Sequence, residues 1–353
     1  MTVFEHHEYD GHEGVHFAHD RESGLHAIIA IHNTALGPAL GGCRYWTYQD
    51  SEAALTDVLR LSRGMTYKSA LAGLSFGGGK SVILADPRAQ KTPAQLQAMG
   101  SFVESLGGRY HIAEDVGISV ADVEVMAERT RHVAGIRAGD AGDPSPATAF
   151  GVFCGIRAAV RHSSSLDSLR DVPIAVQGLG QVGMELCRLL FGEGARLFVS
   201  DLNPERMKQA RERFDAIPLE GDALLDVDAE VFAPCALGGV INDLSLERLR
   251  ASIVAGAANN QLAEARHGRA LQERGILYAP DYVINAGGVI NIAHETRAGG
   301  PTYDRARAFQ AVARIAETLE EIFRRAQQQG IATSEAADQL AVARVAQATH
   351  RAA

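Results

Sequence analysis

Several groups of residues in this chain have the types and spacing that chemistry requires. The run Gly178-Leu179-Gly180-Gln181-Val182-Gly183 has the spacing GxGxxG and follows the apolar Ile174-Ala175-Val176 almost directly. In such a run the first glycine permits a tight turn, and the second lets backbone approach a pyrophosphate. The third lets helix and strand pack closely, with the phosphates resting on the helix N-terminus. Asp201 closes the next apolar stretch, eighteen residues after Gly183. A carboxylate there accepts hydrogen bonds from the ribose hydroxyls of NAD and repels a 2′-phosphate. Strand, helix and acid together predict a dinucleotide site built from Gly178, Gly180, Gln181, Val182, Gly183 and Asp201, for NAD rather than NADP.

Other constellations leave two readings each. Gly73-Leu74-Ser75-Phe76-Gly77-Gly78-Gly79-Lys80 looks like a P-loop but fails on spacing, because Leu74 stands where the first glycine belongs. The run predicts a glycine loop whose backbone approaches a small ligand while Lys80 points at it; an ordinary turn with a solvated lysine fits equally well. Lys68 lies twelve residues earlier. If both lysines met in one pocket, each would lower the other's pKa and free one to act as a base. Glu114-Asp115 beside Gly117, Asn259-Asn260, and Asn285 with Gly287-Gly288 fit binding sites and plain turns alike. His12-Glu13-Gly14-Val15-His16 spells HExxH, but Gly14 interrupts and Val15 and Phe17 alternate with His16 as in a strand. There the two imidazoles would stand about 13 Å apart, too far to share one ion. The match is read as chance, no metal centre is expected, and the early histidines are expected to be exposed strand residues.

The chain as a whole excludes several classes. It has 353 residues, 46% apolar and 22% charged, a size for about two domains. The net charge of −9 without a dense Lys/Arg run argues against a nucleic-acid partner. No apolar stretch is long enough to span a bilayer, and the first residues lack a secretory pattern. Cys43, Cys154, Cys187 and Cys235 are scattered without CxxC, which fits reduced thiols and a cytoplasmic setting.

The elements that must position these residues follow from periodicity. Ala27–Ile31 reads as a strand, and Ser51 opens a helix through about Arg63 with Leu55, Val58, Leu59 and Leu61 on its apolar face. The glycine run leads into a strand at 81–84. A second helix starts with Thr92 as cap, Pro93 at its first position and Gln95 three residues after the cap, and a short one follows Ser119. The turn-rich Gly139-Asp140-Ala141-Gly142-Asp143-Pro144-Ser145-Pro146 marks an inter-domain hinge. Beyond it Ile174–Gln177, a helix from about Gly180, Leu197–Ser200 and a helix from Pro204 alternate as in a parallel sheet with crossover helices. Further buried strands are expected at Val231–Ala233 and Ser252–Ala255, and closing helices from Phe309 onward.

Together the motifs resemble the glutamate/leucine/phenylalanine/valine dehydrogenase family over nearly the whole chain. Leu36–Gly42, Gly64–Lys68, Gly77–Lys80 and Ala113–Gly117 carry the likeness in the first half. Pro144–Thr148, the GxGxxG run, Ala233–Gly238, Gly256–Leu262 and Pro280–Gly288 carry it in the second. The resemblance implies an α/β protein of two domains with an active-site cleft between them. Residues 1–138 would form a catalytic and oligomerisation domain, rejoined by C-terminal helices at about 325–353, and 139–324 a doubly wound NAD-binding Rossmann domain. It implies reversible NAD-linked oxidative deamination of an L-amino acid to a 2-oxo acid and ammonia, in a homo-oligomer of at least two copies.

Carried over by position, Lys68 would bind the substrate carboxylate, helped by backbone at Gly41 and Gly42 and by Asn285. Lys80 would activate water and Asp115 would shuttle protons. Thr148 would hold the nicotinamide carboxamide, with Asn260, Asn285 and Ala236 also on the cofactor. The side-chain pocket would be Leu40, Ala113, Val289 and Ile292. These apolar residues disfavour a second substrate carboxylate and favour branched aliphatic side chains over aromatic ones, by the modest margin such pockets allow. An aromatic amino-acid dehydrogenase is the neighbouring reading, and an inactive NAD-binding sensor a more distant one. Cys43 beside the substrate glycines and His294 beyond the pocket depart from the family's pattern.

Overall fold

The structure, a computed structural model, describes residues 2–86, 90–136, 143–164, 166–295 and 303–352. The chain forms two compact units: Met1–Gly142 with Ile292–Tyr303 and Ala341–Ala353, and Asp143–Asn291 with Asp304–Leu340. Of the expected hinge, 139–142 lie outside the described residues, and Ser145 already opens a helix.

The first unit holds β1 (Gly14–Asp20), β2 (Leu25–Asn33), β3 (Ala39–Trp46), β4 (Gly77–Leu84) and β5 (Tyr110–Ala113), in the spatial order β1-β2-β4-β3-β5. The β1–β2 and β2–β4 pairs are antiparallel, whereas β3 runs parallel to both β4 and β5. Around the sheet lie α1 (Ser51–Leu71), α2 (Pro93–Ser105) and α3 (Val120–Ala127). Asp50 caps α1 by accepting from Ala53 N, and the helix runs past Arg63 because Gly64 sits on its solvent side, where a glycine weakens but does not end a helix. Thr92 caps α2 by accepting from Gln95 N, as the sequence indicates, and Ser119 caps the short helix α3 that was expected after it. Leu25, Ile29, Ile31, Met99, Val103, Tyr110 and Ile112 fill one face of the sheet, while Val58, Leu59 and Val82 pack on the other.

Two expectations about this unit change. The glycine run is not a loop, since β4 begins at Gly77 and Lys80 lies in mid-strand. Its glycines admit protein backbone rather than a ligand. A side-chain carbon at Gly77 would stand 2.0 Å from the Asn33 carbonyl oxygen, and one at Gly78 would stand 2.0 Å from Thr66 N of α1. The early histidines are not exposed as a group, for His6, His12 and His32 are buried. His12 precedes β1 and meets Leu59 O (3.1 Å) and Ser62 Oγ (3.0 Å), so hydrogen bonding within the core compensates its burial.

The second unit opens with α4 (Ser145–Ser164), a helix that the turn-like Pro144-Ser145-Pro146 hid from the sequence reading. There follow β6 (Pro173–Gln177), α5 (Gln181–Gly192), β7 (Arg196–Ser200), α6 (Pro204–Phe214), β8 (Ile217–Pro218), β9 (Val231–Pro234) and α7 (Asp243–Arg248). Then come β10 (Ile253–Val254), α8 (Arg266–Glu273), β11 (Leu277–Tyr278), α9 (Asp281–Ile284) and α10 (Gly287–Glu295). The closing helices are α11 (Arg305–Ala313), α12 (Ile315–Gln329) and α13 (Thr333–Ala352). All the strand pairs of this sheet are parallel, in the order β11-β10-β9-β6-β7-β8. Counted from β6 this is 3-2-1-4-5-6, the doubly wound dinucleotide-binding order with its switch point between β6 and β9. After the stretch Ile292–Tyr303, the chain returns to the first unit from Ala341 rather than from about 325. The reason is packing: α12 lies on α4 and α9, with Leu319 against the Gly155 position and Phe323 against His162.

Candidate active site

In the first unit, adjacency of β4, β3 and β5 assembles several of the expected residues. Lys80 is 7% exposed, and its Nζ donates to Asp115 Oδ2. Asp115 follows β5, and its Oδ1 accepts from Val116 N at 2.7 Å. The carboxylate lies over β3 because Gly42 leaves room: a side-chain carbon there would be 2.7 Å from Asp115 Cβ. Gly41 is equally constrained, since a carbon on it would meet the Gly79 carbonyl oxygen at 1.8 Å. Leu40, fully buried, is in register with Gly78 on β4 and His111 on β5, and Ala113 with Gly42. Apolar wall and ion pair thus belong to one patch of sheet.

The electrostatics of the pair have a clear balance. Burial alone would raise the Asp115 pKa, but the Lys80 ammonium, the hydrogen bonds from Lys80 and Val116 N, and the Arg44 guanidinium together hold it below the ordinary carboxylate range. Cys43, at the position that departs from the family pattern, is fully buried, and burial pushes its thiol up to about 12. It is a small apolar filler here, not a nucleophile. Lys68 sits in the last turn of α1, two residues beyond Thr66, whose backbone abuts Gly78. Ile292 approaches the Gly135 position, at 3.8 Å.

Two contributors escaped the sequence reading. Tyr110, wholly buried, donates its hydroxyl to Gly41 O at 2.7 Å and lies 3.0 Å from Ser81 Oγ, fixing the glycine pair from below. Arg44 faces Asp115 from β3. The only signal for either was position, Tyr110 in an apolar stretch and Arg44 just after Gly41-Gly42-Cys43.

In the second unit the GxGxxG run sits between β6 and α5. Gly178 has φ +93°, where a side chain is strained, and a carbon on it would stand 2.7 Å from Ala236 Cβ. One on Gly183 would stand 2.0 Å from Gly178 O, the close helix–strand approach expected of the third glycine. Gly180 differs, for a carbon on it would meet nothing within 4 Å. That open position, at the cap of α5 with Gln181 and Val182 beginning the helix, is where backbone amides can receive a pyrophosphate. Asp201 directly follows β7, and its carboxylate accepts from Leu179 N (2.6 Å) and Asn203 N (2.7 Å), which anchors it beside the turn. A cavity of about 1180 Å³ at these strand ends is lined by Gly178, Asp201, Arg206, Ala236, Leu237 and Val240. Its size and chemistry fit the adenosine end of a dinucleotide.

Further residues of this unit gather around α4 and α10. Thr148, in the first turn of α4, donates its hydroxyl to Pro144 O at 3.1 Å, and a side chain on Gly288 would press on its oxygen. The Asn285 amide nitrogen donates to Asn259 Oδ1 (2.7 Å) and Ala257 O (3.1 Å). Asn260 takes a left-handed φ of +51°, and its carbonyl accepts from Gly239 N. Val289 lies two residues into α10, one turn before Ile292, so both share a face of that helix.

Fold and site define a two-unit α/β oxidoreductase: a first unit carrying a lysine–carboxylate pair with the lysine buried, and a doubly wound dinucleotide-binding unit with an open Gly180. Comparison with known proteins makes the class specific. Residues 12–132 match the model described as Glu/Leu/Phe/Val dehydrogenase, dimerisation domain, and 203–352 that described as Glutamate/Leucine/Phenylalanine/Valine dehydrogenase. A leucine dehydrogenase of Thermoactinomyces intermedius is 49% identical over 98% of this chain and 94% of its own length. A phenylalanine dehydrogenase of Caldalkalibacillus thermarum is 47% identical over 93% and 90%. The crystal structure of L-tryptophan dehydrogenase from Nostoc punctiforme superposes with a TM-score of 0.88 at 45% identity, covering 96% of this chain and 97% of that one. The chain belongs to the glutamate/leucine/phenylalanine/valine dehydrogenase family. It is an amino-acid dehydrogenase, an oxidoreductase acting on CH–NH2 donors and dependent on a pyridine nucleotide. No helix among the described residues is long and apolar enough to cross a membrane.

Proposed function

We propose that the protein catalyses NAD-linked, reversible oxidative deamination of the branched-chain L-amino acids leucine, isoleucine and valine to 2-oxo acids and ammonia. The observation that carries the substrate class is the placement of buried Leu40 on β3, between the strand of Lys80 and the one that leads to Asp115, with half-buried Ala113 at the end of the latter. A substrate carboxylate or ammonium group lying against Leu40 would lose its hydration without a partner, whereas an aliphatic chain gains by burial. Val289 and Ile292 extend the same apolar character. Asp201 supports NAD over NADP, because each of its oxygens keeps acceptor capacity for ribose hydroxyls and its charge opposes a 2′-phosphate.

Bound NAD would supply the hydride acceptor. In this reading Lys68 and the backbone at Gly41-Gly42 bind the substrate carboxylate. Asp115 accepts a proton from the substrate ammonium, leaving the amine whose Cα–H bond breaks. Lys80 then takes a proton from water as the oxygen attacks the electron-poor imine carbon, and Asp115 returns a proton to nitrogen so that ammonia can leave. Thr148 keeps oxygen lone pairs for the nicotinamide carboxamide, because its hydrogen is committed to Pro144 O. Asn260 and Ala236 belong to the cofactor, and Asn285 does so through Asn259. The match to a dimerisation domain supports a homo-oligomer of at least two copies, and the four free cysteines suit a reducing, cytoplasmic setting.

An aromatic substrate is the second reading, favoured by the likeness to phenylalanine and tryptophan dehydrogenases. NADH formation with leucine, isoleucine, valine, phenylalanine, tryptophan and glutamate at mildly alkaline pH, with NADP in parallel, separates the two. Faster turnover on the aliphatic three supports the proposal, and an aromatic preference overturns the reading of Leu40, Ala113, Val289 and Ile292. Lys80→Ala should abolish turnover while NAD still binds. Unchanged turnover would remove Lys80 from the chemistry.

A further inference from the structure

The Asp115 carboxylate has one neighbour that the reaction scheme does not use. Arg44 lies two residues after Gly42 on β3 and so projects from the same face of the sheet, the face over which Asp115 sits. Its Nε is buried, makes no hydrogen bond, and stands 3.5 Å from Asp115 Oδ2. The other end of the guanidinium is held firmly: Nη1 donates to both oxygens of Asp57 on α1, at 2.9 and 3.2 Å. Tyr48 fastens Asp57 in turn, its hydroxyl donating at 2.8 Å, and Arg60 adds a longer ion pair at 3.5 Å. A half-buried arginine with Nη1 anchored and a buried, unpartnered Nε beside a reactive carboxylate is an arrangement that ordinary packing does not call for.

We propose that Arg44, anchored on Asp57, is a positioning residue for the reaction that holds the Asp115 carboxylate in place while Lys80 takes up and releases its proton. The proposal rests on the reading of Asp115 as the proton carrier. Asp115 Oδ1 is secured by Val116 N, but Oδ2 has only Lys80 as a close donor. Whenever Lys80 is the neutral amine, that oxygen loses its charged donor, and a half-buried carboxylate so stripped is costly. The Arg44 N–H needs to move only a few tenths of an ångström to complete the bond, and the clamp on Asp57 confines it to that approach. Asp115 is then ready, in the same orientation, for the next proton.

The groups whose charge would reach Asp115 are Lys80 from β4, Arg44 and Cys43 from β3, Tyr110 from β5, Tyr48 from the segment after β3, and Asp57 of α1 behind Arg44. Burial drives the Cys43 thiol and both phenols upward, so they remain neutral across the working range. The field at Asp115 is therefore set by the two basic side chains, with the Asp57 carboxylate offsetting part of the Arg44 charge. Removing Arg44 must raise the Asp115 pKa, and the acid limb of kcat/KM must move to higher pH.

The experiment measures kcat, KM and the pH profile for Arg44→Gln, Arg44→Lys, Asp57→Asn and the Arg44→Gln/Asp57→Asn pair, with Asp115→Asn as reference, on the L-amino acid that turns over fastest. Expected for Arg44→Gln is a loss of kcat of about tenfold or more, as for a lost charged hydrogen bond, with KM for the amino acid within about twofold. Its acid limb should move toward higher pH, and Arg44→Lys should recover part of both effects. Asp57→Asn should lose less, and the double variant no more than Arg44→Gln alone, because Asp57 acts through Arg44. An unshifted limb in Arg44→Gln overturns the proposal, as does a loss that adds to that of Asp57→Asn. Should Arg44→Gln fail to fold, Arg44→Met, which removes the same charge and keeps most of the stem, is judged on the same limb. Full turnover by Asp115→Asn overturns the reading of Asp115 itself and the proposal with it. An inactive Asp115→Asn beside an unshifted Arg44→Gln overturns only the role of Arg44.

Discussion

Two glycine-rich stretches of this chain look alike on paper and do opposite things. Around Gly77-Gly78-Gly79 and Gly41-Gly42, a side-chain carbon at any of the five positions would overlap protein, at 1.8 to 2.7 Å. Glycine there lets strand meet helix, strand meet strand and Asp115 settle over β3. In the Gly178–Gly183 run, the outer glycines are closed in by Ala236 and by the turn's own carbonyl, but Gly180 opens onto empty space. Glycine there leaves backbone uncovered at the cap of α5. The first pattern builds the platform under Lys80 and Asp115. The second leaves open the helix N-terminus proposed to hold the pyrophosphate.

The difference makes the two stretches separable by mutation. Gly41→Ala, at the tightest of the approaches, should cost at least about 4 kcal/mol or prevent folding, because the neighbour is a strand carbonyl that cannot swing aside. Soluble yield and urea unfolding would show it, and near-native stability would mean that β3 and β4 can part more easily than the geometry allows. Close packing in the first unit also buries His12 and His111, whose pKa values fall to about 4, chiefly through burial. The unfolded chain then binds more protons than the native one between about pH 6.5 and 4, so stability is full above 6.5 and is lost as pH falls through that window. The loss should be roughly 3 kcal/mol for each histidine. His12→Gln should flatten the stability–pH slope there, and an unaltered slope would break the assignment. The smallest expected effect is that of Gly180→Ala, which at φ −66° costs little backbone strain. It should melt within a degree or two of the parent yet bind NAD about tenfold more weakly, about 1.4 kcal/mol by calorimetry. Unchanged NAD affinity would deny Gly180 its place under the pyrophosphate.

Legibility followed how local each signal was. The cap at Thr92, the short helix after Ser119 and the strand–turn–helix at Gly178 were read correctly because each is completed within a few residues or one βαβ unit. The start of β4 was misread because glycine is depleted in strands, and what makes it tolerable here is α1 and β3, far away in sequence. Helix α4 was hidden behind two prolines at its own first turn. The histidines were misplaced because their hydrogen-bond partners lie on α1, dozens of residues on.

By itself, then, the sequence determined the alternation of strand and helix from Ile174 onward and the glycine turn between β6 and α5, and it marked Asp201, Lys68, Lys80 and Asp115 as candidates only. Tertiary structure alone decided that Lys80 and Asp115 touch, that Leu40 and Ala113 share their sheet, and that Arg44 and Tyr110 serve the same patch. The physical reason is distance along the chain. Caps, turns and periodicity depend on neighbours a few residues away, whereas an ion pair between residues 80 and 115 exists only once parallel strands separated by whole helices have found their register.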